Sequence, residues 1–343
     1  MKRATLNDLA DALGLSANTV SRALSGKDGV APHTRDLVRR EAERIGYRSG
    51  SQWRRSEQKS IALTVTSSSN VFITQLIPAV ELALRPLGYS VVIRTTEESP
   101  AMEAEAIAAM IEGDHAGAIV IPVQGDSDPW GDAGPMSFPV VAVARELPGT
   151  ECDLVAHDTY AAMYAATRHA LAQGARSLLL FDEDLPVSTN RNRERAFSDA
   201  AATVPDAESR VVRIPSRRYE TRATPWQPEE GYLAVSAVMA QGAHPDAMLF
   251  EDDYFALGAL RALEDHGLRA PQDILLVGYG DHPYAPYIRP SLTSVSIPGS
   301  RIAEAAVSLL LQRIAGDTSP PVRRLLPGEL VVRESSVRPV TAP

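Results

Sequence analysis

Residues 15–24 read LSANTVSRAL and crowd Ser16, Asn18, Thr19, Ser21 and Arg22 onto a short stretch of chain. Ser, Asn and Thr are middling helix formers that prefer caps, so helix propensity does not account for them. Their chemistry does: Asn pairs bidentately with adenine, Arg pairs likewise with guanine, and short hydroxyls donate to phosphate oxygens. The alternative is the solvated face of an ordinary amphipathic helix in a three-helix bundle. A second set of polar residues follows apolar runs farther along. Ser67, Ser68, Ser69, Asn70 and Phe72 come after IALTVT, and Ser188, Thr189, Asn190 and Arg193 after SLLLF. Trp226 precedes a helical stretch, Asp252 and Asp253 follow AMLFE, and Asp281 follows ILLVGYG. Hydroxyls, acids, one Arg and aromatics converging on a cleft describe a site for a small polar molecule.

The elements that must hold these residues are readable from periodicity. Thr5 with Asp8 resembles a capping box, and Leu6, Leu9, Ala10 and Leu13 recur at helical spacing, which predicts a helix from Leu6 to Leu13. After Gly14, Ser16 caps a second helix whose Val20, Ala23 and Leu24 face inward. A third runs from Pro32 through Leu37, Val38, Ala42 and Ile45 to Gly46. Helix, tight Gly turn, helix is the helix-turn-helix pattern. From Ser60 the pattern changes. Strands are predicted at 61–66, 89–96, 117–122, 140–144, 177–181, 210–215, 247–251 and 274–280. Helical stretches at 73–87, 102–112, 160–173, 191–202, 228–241, 255–266 and 301–315 alternate with most of them. The class is α/β, with two lobes of doubly wound parallel sheets behind a helical head. Ligands of such sheets bind beyond the carboxyl ends of the strands.

Charge separates the two parts. The 343-residue chain has a formal net charge of -9, yet residues 1–60 carry twelve Lys/Arg against seven Asp/Glu, a net of +5, leaving -14 for the rest. A basic head on an acidic body suits a protein that touches a polyanion with one end. Catalytic motifs are sparse. GYGD at 278–281 lacks the third Gly of a dinucleotide loop, and neither GxxxxGK[ST] nor HExxH occurs. The EDD run at 251–253 lacks oxygen ligands at the spacing a cation site needs and reads as a cleft rim. No enzyme activity, cofactor or metal is expected. Cys152 is the single cysteine, so an internal disulfide is impossible. The opening MKRATLNDLADAL lacks the apolar stretch of a signal peptide, and no long apolar run follows, so a cytoplasmic protein without membrane contact is expected.

The run ATLNDLADALGLSANTVSRALSGKDGVAPHTRDLVRREAERIGYR closely resembles the head of LacI/GalR-family transcriptional repressors, in its TVSRAL core, SGKDGV link and closing GYR. The resemblance implies that Ala17, Asn18 and Arg22 read bases in the major groove of double-stranded DNA, while Thr5, Ser16, Thr19 and Ser21 hold the DNA backbone. Ala17 offers at most an apolar contact to a thymine methyl. The next segment, SGSQWRRSEQKS, departs from the family: Ser49 and Gly50 stand where Pro-Asn is usual, and Ser56 where a leucine wedges into the minor groove. Trp53, beside Arg54 and Arg55, either takes that wedge role or packs on the core domain.

The order of elements over 60–336 resembles the family's effector-binding core, itself similar to periplasmic sugar-binding proteins; ALGALRALEDHGLRAPQDILLVGYGD, PSLTSV and VVRES carry the likeness. By position it implies that Arg193 contacts the effector, Trp226 stacks on it and Thr189 offers a hydroxyl. Ser69, Phe72, Asp252 and Asp281 complete the candidate set. Asp252 sits where the family often has Asn, and Gly280 replaces an acid that often hydrogen-bonds the effector. The expected organisation is a helix-turn-helix head at 1–48, a hinge at 49–59 and a core at 60–343. Within the core, the N-lobe is expected at 60–157 and 288–319, and the C-lobe at 158–287 and 320–343. The implied function is an effector-responsive repressor acting as a homodimer on a near-palindromic operator, since one half-site is too small for high specificity. Trp226, Asp252, Asp281 and Arg193 suit a sugar or sugar derivative, although Arg193 suits a carboxylate or phosphate equally. The alternative is a solute-binding or sensor protein of periplasmic-binding type with no role at DNA. The ending ESSVRPVTAP has no leucine heptads, so a dimer is expected.

Overall fold

Thr5 lies in extended backbone at the start of α1 (Leu6–Leu13). Its hydroxyl accepts the Asp8 N–H at 3.2 Å while the Asp8 carboxylate accepts the Thr5 N–H at 2.7 Å, the reciprocal cap that the spacing predicts. After the turn through Gly14, Ser16 Oγ accepts the Thr19 N–H at 3.1 Å and starts α2 (Ala17–Leu24). α3 (Pro32–Ile45) completes the head, and Leu9, Val20, Ala23 and Val38 are fully buried among the three helices. The computed structural model describes residues 5–24, 30–45, 59–67, 70–125, 127–147, 149–215 and 227–338. Trp53 and Arg54 of the expected hinge, together with Ser69 and Trp226, lie outside the described residues. The chain forms two compact units, Met1–Lys59 and Ser60–Pro343.

The second unit begins β1 (Ser60–Val65), α4 (Val71–Leu84), β2 (Ser90–Thr95), α5 (Pro100–Glu112), β3 (His115–Val120), α6 (Pro129–Ala133), β4 (Val140–Val143) and β5 (Asp153–His157). It continues with α7 (Thr159–Ala172), β6 (Ser177–Glu183), α8 (Ser188–Ala201), β7 (Glu208–Ile214), α9 (Pro228–Ala240), β8 (Ala247–Phe250), α10 (Asp253–Asp265) and β9 (Leu275–Gly280). It closes with β10 (Thr293–Ser296), α11 (Gly299–Ile314), β11 (Arg323–Leu326) and β12 (Glu329–Val331). Two six-stranded sheets result, ordered β11-β5-β4-β3-β1-β2 and β12-β10-β9-β8-β6-β7. β12 runs antiparallel to β10, and the other ladders are parallel.

Side chains alternate across each strand, and here both faces are covered. Ile61, Leu63 and Val65 pack on one side of the first sheet with Ile302, Ala306 and Leu310 of α11, while Ala62 packs on the other. Leu179 and Phe181 face one core of the second sheet, Leu178 and Leu180 the opposite one. That double burial explains the uninterrupted apolar runs.

The lobes exchange chain later than the sequence suggests. Thr293–Ser296 pairs with β9, so it belongs to the second lobe, whereas residues from 288 were expected in the first. Arg323–Leu326 pairs with β5 in the first lobe, although residues from 320 were expected in the second. Both are four-residue strands, and RRLL at the sheet edge is mostly exposed, so neither carries an apolar signature. DLVAH at β5 is buried but too short to stand out in the sequence, since Asp and His bracket only three apolar residues.

α9 and α10 approach so closely that glycine is obligatory at their contact. A Cβ on Gly258 would lie 1.7 Å from the Pro228 carbonyl oxygen, and one on Gly231 would lie 2.1 Å from that of Phe255. Gly258→Ala should therefore destabilise the core by about 2–3 kcal/mol through overpacking. Denaturant unfolding would measure it; an unchanged midpoint would contradict the tight crossing.

Candidate functional site

Between the two sheets lies a cavity of about 130 Å³, lined at the carboxyl ends of the strands. Thr66, Ile121, Ala144 and Arg145 come from the first lobe, and Glu251, Asp252, Tyr279 and His282 from the second. α8 sends Thr189, Asn190 and Arg193 into it.

Arg193 is the most constrained group in the cleft. One terminal nitrogen, Nη2, donates to Asp182 Oδ1 at 2.8 Å, to Asn190 Oδ1 at 2.6 Å and to Glu251 Oε2. Burial opposes its charge, but the attraction of Asp182 and Glu251 outweighs that penalty and raises its pKa above the ordinary value. Arg145 sets its two terminal nitrogens on the two oxygens of Glu98, each at 2.7 Å, and both side chains are buried. The bidentate fork is the strong form of this pairing. Both arginines of the cavity are thus matched to buried carboxylates of the protein.

The remaining polar groups are also held in place. Asp252 caps α10 by accepting the Tyr254 N–H at 2.8 Å, and its other oxygen lies 3.4 Å from His282 Nε2. Burial opposes a charge on His282, but the bond to Asp252 and the charges of Asp252, Asp253 and Asp281 outweigh it and raise its pKa. Burial also pushes the Asp253 carboxyl up to about 6. Burial drives His157 the other way, down to about 4, so it faces the cavity as a neutral ring. The EDD run at 251–253 is consumed by these contacts: Glu251 holds Arg193, Asp252 caps its helix, and Asp253 accepts from Ser294 Oγ and the His282 N–H, both at 2.7 Å. Among the described residues no group of three or more His, Cys, Asp or Glu is placed to hold a metal ion.

Of the effector residues expected from sequence, Phe72, Thr189, Arg193 and Asp252 line the cavity together. Asp281 does not. It lies past the end of β9 with φ 47°, and its carboxylate Oδ1 sits 2.7 Å from Arg333 Nη1. Arg145, His157, Tyr279 and His282 were missed. Arg145 directly follows the 140–144 run, so the strand-end rule pointed to it; His157 ends a strand that the apolar pattern hid.

The lobes also meet through Gln124, which follows β3. α8 begins after Val187, which offers no side-chain cap. Gln124 supplies the acceptor from the opposite lobe, taking the Ser188 N–H at 2.7 Å, while its Nε2 donates to the Glu146 carbonyl at 2.8 Å. An orphan helix N–H is thus satisfied across the cleft.

In the head, the outward residues of α2 are Asn18, Ser21 and Arg22, all exposed. Ala17 is half-buried against the head core. The Thr5, Ser16 and Thr19 hydroxyls already serve the helix starts, with Ser16 Oγ and Thr19 Oγ1 only 2.8 Å apart.

A helix-turn-helix head joined to two doubly wound lobes around a polar cleft defines a regulator-type architecture with a periplasmic-binding-like core. The periplasmic binding protein-like domain model matches residues 167–336, and the model of bacterial regulatory proteins of the lacI family matches residues 5–49. The chain thus pairs a head of the lacI-family type with a periplasmic binding protein-like core, the combination of a DNA-binding transcriptional regulator. It is 26% identical over 336 residues to the ribose operon repressor of Haemophilus influenzae, covering 97% of this chain and 98% of that protein. It shares its fold with a lac repressor dimer bound to operator and the anti-inducer ONPF, at TM-score 0.74 and 22% identity over 98% of this chain and 100% of that one. It likewise shares the fold of the transcriptional regulator CelR in complex with cellobiose, at TM-score 0.69 and 24% identity over 97% and 100%.

Two measurements probe this geometry. Gln124→Ala should leave the first turn of α8 without its acceptor, so amide exchange at Ser188 should accelerate while β8 and β9 stay protected; equal exchange in both proteins would contradict the cross-lobe cap. The second concerns pH. Asp253 and His282 both bind protons more tightly folded than unfolded, so their contribution to stability is greatest at low pH. It declines from about pH 4 to 6 for Asp253, and above about 6.5 for His282 as the pH climbs through its raised pKa. Thermal melts between about pH 6.5 and 8 should therefore fall less steeply for His282→Gln than for the parent, and parallel profiles would count against the pair.

Proposed function

We propose that this chain is a homodimeric repressor whose hold on a near-palindromic operator is set by a neutral polyhydroxylated effector, a sugar or sugar derivative, bound between the lobes of its core. The observation that carries the effector class is the pairing of both cleft arginines with buried carboxylates: Arg193 with Asp182 and Glu251, and Arg145 with Glu98. An anionic ligand would need an uncommitted cation, and these two are already neutralised. A polyol needs donors and acceptors in pairs, which Thr66, Asn70, Thr189 and Asp252 offer. The kinship with a ribose operon repressor supports the same class.

On the DNA side, Asn18 and Arg22 read base edges in this account, and Ala17 adds at most a methyl contact. Thr5, Ser16, Thr19 and Ser21 hold phosphates, with Arg54 and Trp53 contributing from the hinge. Residues 1–48 form the DNA-binding domain, 49–59 the hinge, and 60–343 the effector-binding and dimerising core, working in the cytoplasm. Among the described residues no helix is long and apolar enough to cross a membrane.

The test has two arms. Selection from randomised duplexes should return a palindromic operator, on which Asn18→Ala and Arg22→Ala each lose about 1–3 kcal/mol of binding and relax the choice of base. Calorimetry should find heat with neutral sugars and none with sugar phosphates, purines or organic acids. Binding confined to ligands outside the carbohydrates would end the effector assignment, and parent-like behaviour of both head variants would end the reading of α2.

A further inference from the structure

We propose that His282, paired with Asp252, is a specificity-determining contact of the effector, and that glycine at position 280 is what admits it. The inference rests on the sugar-type reading of the cleft and extends it to residues that the reading does not use.

Gly280 closes β9 with φ +117°, a conformation that side chains rarely adopt. A Cβ built there would lie 2.8 Å from His282 Cδ2 and 2.9 Å from His282 Nε2, with no other heavy atom so close. The imidazole therefore stands where a side chain at 280 would begin. A side chain at 280, an acid included, could be carried only if the His282 ring moved aside. The residue is held by its backbone and by two aromatic neighbours. Its own backbone N–H donates to Asp253, which Ser294 also holds, and Tyr254 and Tyr284 flank it edge-on at 4.7 and 5.5 Å between centroids.

The outcome is a different recognition element. An acid at 280 would offer only acceptors. The His282–Asp252 pair, both members lining the cavity with Nε2 and Oδ2 3.4 Å apart, offers a donor beside an acceptor. Two neighbouring hydroxyls of a neutral polyol match it: one donates to Asp252, and the other takes the Nε2–H of His282, which Asp252 engages only weakly at 3.4 Å. A ligand with a single hydroxyl at that edge leaves half of the pair unanswered, which a desolvated site penalises more than it rewards the match.

The experiment is a calorimetric titration of the full-length protein with D-ribose, D-glucose and cellobiose, followed by the single-deoxy derivatives of whichever sugar binds. His282→Leu keeps bulk between the tyrosines but has no N–H, and should weaken that sugar about tenfold or more. His282→Gln restores a donor and should recover most of the loss. The deoxy derivative missing the contacted hydroxyl should bind parent and His282→Leu alike, a pattern that loss of packing would not produce. In the parent itself, the Nε2 resonance of His282 should move on saturation with sugar, so the proposal stays testable even if the leucine variant fails to fold. Equal sugar affinity in parent and His282→Leu, or an unmoved resonance, overturns the role of His282 while the effector reading stands. No heat with any of the three sugars brings down the effector reading, and this inference with it.

Discussion

The cleft is organised around the need to neutralise charge where water is scarce. A guanidinium taken out of water is several kcal/mol uphill unless its partners are close and geometrically complete. Arg193 meets this demand with two carboxylates and an amide oxygen converging on one nitrogen, and those partners come from β6, α8 and the end of β8. Three elements of the second lobe are thereby tied at one point, beside the cavity. Arg145 does the same for the first lobe by joining the end of β4 to Glu98 in the turn after β2. Such pairs are poor sources of net stability but strong sources of fixed geometry, because losing either partner strands a buried charge. The shape and the charge of the cleft are consequences of one constraint.

That constraint also explains what could be read from residue types. The alternation of apolar runs and helical stretches made the two-lobed α/β class legible, because parallel strands buried on both faces must be apolar throughout, as Leu178–Phe181 are. The head was legible at the level of single caps, since Thr5, Asp8 and Ser16 act within three residues of their partners. Pairing over long range was not. Nothing local in RRLL or TSVS says which sheet will accept it, and the edge position of β11 removes even its burial signal. In the cleft, Asp252 and Arg193 could be nominated from the ends of AMLFE and SLLLF. Asp281 looked equivalent but turns away to Arg333, and His282, one residue later, occupies the position facing the cavity. A one-residue difference at the end of a strand reverses which side chain faces the cavity, across a turn where Gly280 and Asp281 both take a positive φ.

The head obeys a parallel economy of hydroxyls. Thr5 and Ser16 sit at helix starts, where their hydroxyls accept backbone N–H groups that would otherwise lack partners, and Thr19 Oγ1 lies 2.8 Å from Ser16 Oγ. The residues that best suit phosphate oxygens are therefore also those that stiffen the turn between α1 and α2. Asn18 and Arg22, four residues apart on α2, then project from one face of a helix already fixed at its first turn. Pre-organisation of this kind lowers the entropy lost when a side chain is immobilised against a base edge.

Effector binding and lobe arrangement meet in α8. The helix carries Thr189, Asn190 and Arg193 to the cavity, yet its first amide is capped from the other lobe by Gln124. Separating the lobes would free that amide, and the same movement would draw the helix away from Arg145 and Thr66 on the facing wall. A ligand that touches both walls therefore binds the closed arrangement more tightly than any open one, and this preference is the whole of what it can contribute to a shift between them. A few hydrogen bonds that form only on closure, each worth about 1 kcal/mol net, give a coupling of about 1–3 kcal/mol. That corresponds to roughly a 5–150-fold change in affinity at a linked site, ample for a regulator that must be switched by a small molecule and still released from it.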